Sequence, residues 1–219
     1  MEEQLKALAS QLRRPENEDG IKTGVHMNEG NKIMNLEAIK AVNPCAHDRI
    51  LEIGMGNGFF VKNIVSIHPT IVYAGCDFSE TMIKEAEKIN VDYIQNGCVA
   101  FHLASAENLP LEDASFNKLF TVNTVYFWDE PDKTLKEFHR VLKPEGELII
   151  VFRPKHIMEN LSVTKYGGFT LYSKEDLITL LITTPFFDVV DAYDIEEPSR
   201  EMMGVTVSFG STIVRATRK

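Results

Sequence analysis

Two short segments hold most of the residues that could do chemistry. The first is Leu51-Glu52-Ile53-Gly54-Met55-Gly56-Asn57-Gly58, three glycines at alternate positions directly behind an acid. Glycine reaches positive φ without a Cβ penalty and lets a ligand approach the backbone closely. A helix following such a turn aims its free N–H groups at that ligand. The same turn can serve as a bare strand-to-helix connection, so it informs only together with its surroundings. Its GxGxG spacing differs from the GxGxxG that wraps a dinucleotide pyrophosphate. Glu52 would repel a pyrophosphate but suits a ligand carrying an ammonium group. The second segment is Cys76-Asp77-Phe78-Ser79. Asp77 follows Gly54 by 23 positions, where a carboxylate ending the second strand of an α/β unit can accept both hydroxyls of a ribose. Phe78 offers a ring face to an adenine. A helix cap is the competing role for Asp77.

Two more segments complete the candidate site. Ala104-Ser105-Ala106-Glu107-Asn108 has a polar side chain and backbone amides that could read a purine edge, and Thr121 to Trp128 brings Asn123, Tyr126, Phe127 and Trp128 close together. Aromatic faces suit a cationic ligand, although two of those three rings are expected in the core. His26, His156, Tyr166 and Tyr172 could act as a base or orienter. Each histidine also fits a surface or structural role, and no catalytic base is assigned.

These segments must be held at the ends of strands. Apolar runs at Ile50–Ile53, Ile71–Cys76, Cys98–Leu103, Phe116–Val122 and Leu148–Phe152 alternate with helical patterns at Phe59–Ile67, after Ser79, and after Pro131 up to Lys143-Pro144. Such alternation predicts a parallel sheet covered on both faces, with ligands outside the carboxyl ends of its strands. A helix over Lys174–Ile182 and strands at Phe186–Ala192 and Val205–Val214 close the chain. Val205, Val207 and Phe209 are expected on one face. The polar stretch Glu196–Arg200 between the two strands reads as the loop of an antiparallel hairpin. Residues 1–43 read as an N-terminal helical arm or lid: an amphipathic helix within 1–19, an irregular stretch Thr23–Asn31, and a helix over Gly30–Val42. Residues 44–219 form the main domain, with a lid-like insert at 153–172 that would share acceptor selection with the arm.

The whole-chain numbers narrow the class. The chain has 219 residues and a formal charge of −9, and its lysines and arginines are scattered; a nucleic-acid binder is expected to carry a basic patch, so a small-molecule substrate is the default. No stretch approaches a membrane span, and the acidic start Met1-Glu2-Glu3 does not resemble a secretory signal. Three cysteines without CxxC spacing argue against a disulfide framework or a zinc site and for reduced thiols in a cytoplasm. No metal site is expected.

Residues 48–152 resemble the class I S-adenosylmethionine-dependent methyltransferases, and most closely their small-molecule, ubiquinone/menaquinone-biosynthesis-like branch. The resemblance rests on LEIGMGNG (51–58), CDFSETMI (76–83), ASAENLPLEDASFNKLFTVN (104–123) and FHRVLKPEGELII (138–150). It implies a Rossmann-like three-layer α/β sandwich with a seven-stranded, mostly parallel sheet of order 3-2-1-4-5-7-6, strand 7 antiparallel. By that resemblance, S-adenosylmethionine is the methyl donor and S-adenosylhomocysteine the product. Gly54, Gly56 and Gly58 would shape the methionine side of the site, with Glu52 near its amino group. Asp77 would hold the ribose, and Phe78 and Met82 would border the adenine. Ala106 would offer it a backbone amide, and Asn123 would stand near the sulfonium. The family usually has an aspartate where this chain has Ser105, whose hydroxyl is a weaker acceptor for the adenine amino group. The chain also lacks the prolines of the Asn/Asp-Pro-Pro-Tyr loop used on amide and nucleobase amines, since it reads Asn123-Thr124-Val125-Tyr126. Two other readings are a non-catalytic S-adenosylmethionine-binding sensor or scaffold, and a nicotinamide-dependent oxidoreductase, which the GxGxG spacing disfavours.

Overall fold

The computed structural model describes residues 2–202 and 205–219, with side chains undescribed at 200–202 and 205–208. Seven strands form one sheet: β1 (Arg49–Ile53), β2 (Val72–Asp77), β3 (Val99–Leu103), β4 (Phe116–Val122), β5 (Leu142–Phe152), β6 (Phe187–Met202) and β7 (Val205–Arg218). Their order is β3-β2-β1-β4-β5-β7-β6. The first five run parallel, and β7 pairs antiparallel with both β5 and β6. This is the predicted topology.

Alternation along the strands sorts side chains into two cores. Leu51, Ile53, Leu148 and Ile150 face one side, where they pack with Leu135 and Phe138 of α7 (Pro131–Val141) and Leu177 and Leu181 of α9 (Lys174–Thr183). Ile50, Tyr73, Phe120 and Ile149 face the other, against Ala38 and Val42 of α3 (Lys32–Val42) and Val61 and Ile64 of α4 (Val61–Val65). The sheet is therefore sandwiched between two helical layers. α5 (Glu80–Ile89) begins at Ser79, whose side chain caps it by accepting from Met82 N, as expected of a serine in that place. A short α6 (Val91–Gln95) follows it, too brief to leave a periodic signal.

Three expectations need correction. The irregular stretch Thr23–Asn31 lies almost wholly in α2 (Asn17–Gly30), which follows α1 (Glu2–Arg13). Its Gly20 and Gly24 lower helix propensity, yet both are buried where α2 turns back on Pro15 and crosses Met82, so packing overrides propensity. The supposed loop Glu196–Arg200 is part of β6. Pro198 interrupts the pattern, and the ladder accommodates it by a register shift between Glu197 and Arg200, as proline in an edge strand requires. Likewise β5 begins at Leu142, before Pro144, which sits in an irregularity opposite Phe116–Lys118. The expected shared face of Val205, Val207 and Phe209 rests on side chains at 205 and 207 that lie outside those described. The 153–172 insert holds α8 (Lys155–Met158) and a 3-10 turn at Ser162–Lys165.

Candidate active site

A cavity of about 240 Å³ opens at the carboxyl ends of β1, β2 and β4 and is roofed by α1, α2 and the start of α3. The turn after β1 forms its floor. Gly54 and Gly56 have φ of +72° and +58°. A Cβ on Gly54 would lie 2.3 Å from Thr124 Cγ2, so both backbone and space demand glycine there. The Gly56 N–H donates to Asp77 Oδ2 at 3.0 Å, and the Ser79 N–H donates to Oδ1 at 2.9 Å. Turn and acid are thus tied directly together.

Burial dominates the electrostatics. Glu52 is 5% exposed and points to the α3–α4 side, where Tyr73 Oη donates to its Oε2 at 2.6 Å. Removal from water pushes its carboxyl up to about 7; the Tyr73 hydrogen bond acts the other way, and nearby Asp77 adds a smaller upward push. Asp77 is pushed up to about 6, again chiefly by burial, with the amides of Ser79 and Gly56 pulling it down. Burial also pushes the Cys76 thiol up to about 12, so it stands in the wall as a neutral group.

Of the predicted site residues, Glu52, Gly54, Gly56, Asp77, Phe78, Ser105, Ala106 and Asn123 line this one cavity, whereas Gly58 and Met82 do not. Gly58 packs the turn onto α5, where a Cβ would meet Asn90 Nδ2 at 2.8 Å and Ala86 Cβ at 3.0 Å. Met82 is fully buried beneath Gly24 of α2. Asn123 has φ +58°, and its side-chain oxygen accepts from Tyr126 Oη at 3.0 Å. Tyr126 and Trp128 are buried in the core, as expected of two of the three rings, and Phe127 and Trp128 reach the wall. None of His26, His156, Tyr166 and Tyr172 lines it.

The wall also contains residues that the sequence did not single out. Asn28, Asn31 and Asn35 descend from the arm, Asn57 comes from the glycine turn, and Glu107, Asp129 and Arg13 stand at the rim. Ser105 Oγ donates to the Glu107 carboxylate, so an acid does stand at this corner, two positions beyond its expected place. The Ser-x-Glu spacing was the available signal for it.

The arm is fastened across the cavity mouth. Arg13 Nη2 lies 2.5 Å from Asp129 Oδ2, the Arg14 guanidinium stands 5.6 Å from the Phe78 ring centre, and Ser79 Oγ donates to the Pro15 carbonyl. The insert supports the arm from outside. Ala9 of α1 is fully buried, and its Cβ is 2.7 Å from where a Cβ on Gly167 would sit.

The comparisons agree with this architecture. The family described as "Methyltransferase domain" matches residues 51–150. The uncharacterized methyltransferase YdaC of Bacillus subtilis is 28% identical over 66% of this chain and 78% of its own length. The ubiquinone/menaquinone biosynthesis C-methyltransferase UbiE of Geotalea daltonii is 28% identical over 52% of this chain. The match spans only 49% of the UbiE chain. A solved structure of a SAM-dependent methyltransferase from Aquifex aeolicus superposes with a TM-score of 0.69 at 18% identity, covering 90% of this chain and 97% of that one, a likeness of fold. Residues 51–150 thus match a methyltransferase-domain family, and the chain is similar in sequence and fold to class I S-adenosylmethionine-dependent methyltransferases.

Proposed function

We propose that this protein transfers a methyl group from S-adenosylmethionine to a small-molecule acceptor. The observation that carries the reading is the 3.0 Å bond from the Gly56 amide to Asp77 at the cavity floor. It sets a backbone turn and a carboxylate side by side where one adenosyl group could use both.

The residues present suit that group. Asp77 keeps acceptor capacity for the ribose hydroxyls because each carboxylate oxygen has two lone pairs and one backbone donor. Phe78 borders the adenine, and Ala106 and the Ser105–Glu107 corner face its edge. Glu52 receives the amino group, and Gly54 with Asn123 faces the sulfonium. When bound, the cofactor supplies a methyl group on a cationic sulfur, which leaves as a neutral thioether. The protein's task is alignment and exclusion of water, and the arm (residues 1–43) and the insert (153–172) serve as lids for it. No helix among the described residues is long and apolar enough to cross a membrane, and we assign the activity to the cytoplasm. A cavity roofed by the arm, in a chain of net charge −9, favours a small molecule over a nucleic acid.

Isothermal calorimetry with S-adenosylmethionine and S-adenosylhomocysteine tests the reading. Micromolar-range binding of both is expected, and the absence of heat with either rejects it.

A further inference from the structure

The charges around the cavity say more about the acceptor, given the methyl-transfer reading above. The wall carries four carboxylates, Glu52, Asp77, Glu107 and Asp129, against one cation, Arg13, which is already paired with Asp129. A second arginine stands close by. Arg153, at the end of β5, reaches Gly30 O at 3.4 Å and Asn31 Oδ1 at 3.5 Å. Its charge is taken up by Glu197 through contacts of 2.9 and 3.3 Å, with both residues 6% exposed. The arm side of the cavity is therefore left to the carboxamides of Asn28, Asn31 and Asn35. Carboxamides donate and accept hydrogen bonds without carrying charge.

We infer that the acceptor is a primary or secondary amine, held by the carboxamides of Asn28, Asn31 and Asn35, and that carboxylates and phosphorylated compounds are excluded. An amine arrives as an ammonium drawn by the acidic wall and gives up a proton to water before it reacts. The nitrogen lone pair then forms the N–C bond, the C–S pair returns to sulfur, and the product leaves as the methylated ammonium. Positive charge passes from sulfur to nitrogen and stays within the same wall. An anionic acceptor would instead add a further like charge beside an acidic wall. A hydroxyl acceptor needs a base as the bond forms, and the wall carboxylates are already committed, Glu52, Asp77 and Glu107 to the cofactor by the reading above and Asp129 to Arg13.

Trp128, the chain's single tryptophan, stands in the wall and provides the readout. The full-length protein loaded with S-adenosylhomocysteine is titrated with matched pairs: phenethylamine against phenylacetate, tyramine against 4-hydroxyphenylacetate, and putrescine against succinate. At least one amine should change Trp128 fluorescence saturably, with its acid counterpart weaker by about tenfold or more. Glu197→Gln, which releases the Arg153 charge, should narrow that ratio. Asn31→Asp, a milder change, should widen it and serves if the first variant fails to fold. An acid that binds as tightly as its amine overturns the inference, and so does the lack of any saturable amine response in protein that binds S-adenosylhomocysteine normally. Failure to bind S-adenosylhomocysteine would instead strike at the methyl-transfer reading itself.

Discussion

Asp77 is oriented by two backbone amides before any ligand arrives, so little ordering remains to be done on binding. Replacing it by alanine should weaken S-adenosylhomocysteine binding by about 1–3 kcal/mol, the scale of hydrogen bonds to a charged group, as read by calorimetry. The raised carboxyls make a second prediction. Glu52 and Asp77 keep protons up to about 7 and about 6, whereas the unfolded chain releases its own near 4.5 and 3.8. Between those limits the folded state binds more protons, so stability is greatest below the window and declines as pH rises through it. Melting midpoints of the ligand-free protein should fall from about pH 5 to about pH 8, and Glu52→Gln should flatten part of that slope. A ligand ammonium favours ionised Glu52, so binding near neutrality should release a proton, measurable as a buffer-dependent heat. At this scale the sequence was legible where residue type and spacing jointly define a place, as for Gly54, Gly56 and Asp77, which meet in one cavity. It was not legible for Gly58 and Met82, because a glycine or methionine that packs a turn looks the same as one that meets a ligand. Asn28 and Asn31 lie in the arm stretch expected over the strand ends, whereas Asn35 becomes a wall residue only once the arm folds back, and nothing local encodes that.

The turn after β1 and the arm are the elements with most at stake. Gly54→Ala combines a φ of +72° with a 2.3 Å clash against Thr124. It should cost about 1–3 kcal/mol in strain alone, seen as a lower midpoint in urea. Asp129→Asn removes the Arg13 latch. An ion pair at an exposed rim contributes at most about 1 kcal/mol, so the melting point should barely move while amide exchange in residues 2–13 accelerates. Unchanged exchange there would mean that the arm is held by Ala9 and Pro15 instead. Strand and helix alternation revealed the β1–β5 elements because each is buried on a regular period. The errors fell at Pro198, Pro144, Gly20 and Gly24, where one residue disfavours an element that tertiary packing retains.

At the level of the whole molecule, the parallel sheet followed from alternating elements and the seven-strand order from the family resemblance, but the joint that locks its far edge followed from neither. Arg153 lies in the insert by sequence, yet it connects β5, the end of α2 and the β6–β7 pair through Glu197, Gly30 and the Gly210 carbonyl. Buried pairs of this kind are strongly destabilising when broken from one side. Glu197→Ala should cost about 3–5 kcal/mol and lower the melting temperature well beyond the effect of Asp129→Asn.

The β6–β7 ribbon is longer than the sheet that carries it. β5 pairs with β7 only over Thr212–Thr217, while β6 follows β7 out to Val205. Amides of the outer length should exchange sooner than those beside β5, in a sub-global opening that leaves the core intact. The fork between the two regimes falls at Gly210, where Arg153 grips both the ribbon and the last turn of α2. Fraying that travels past Glu197 would therefore loosen the roof of the cavity from behind, so a force or partner acting on the distant ribbon would register at the helices above the cavity.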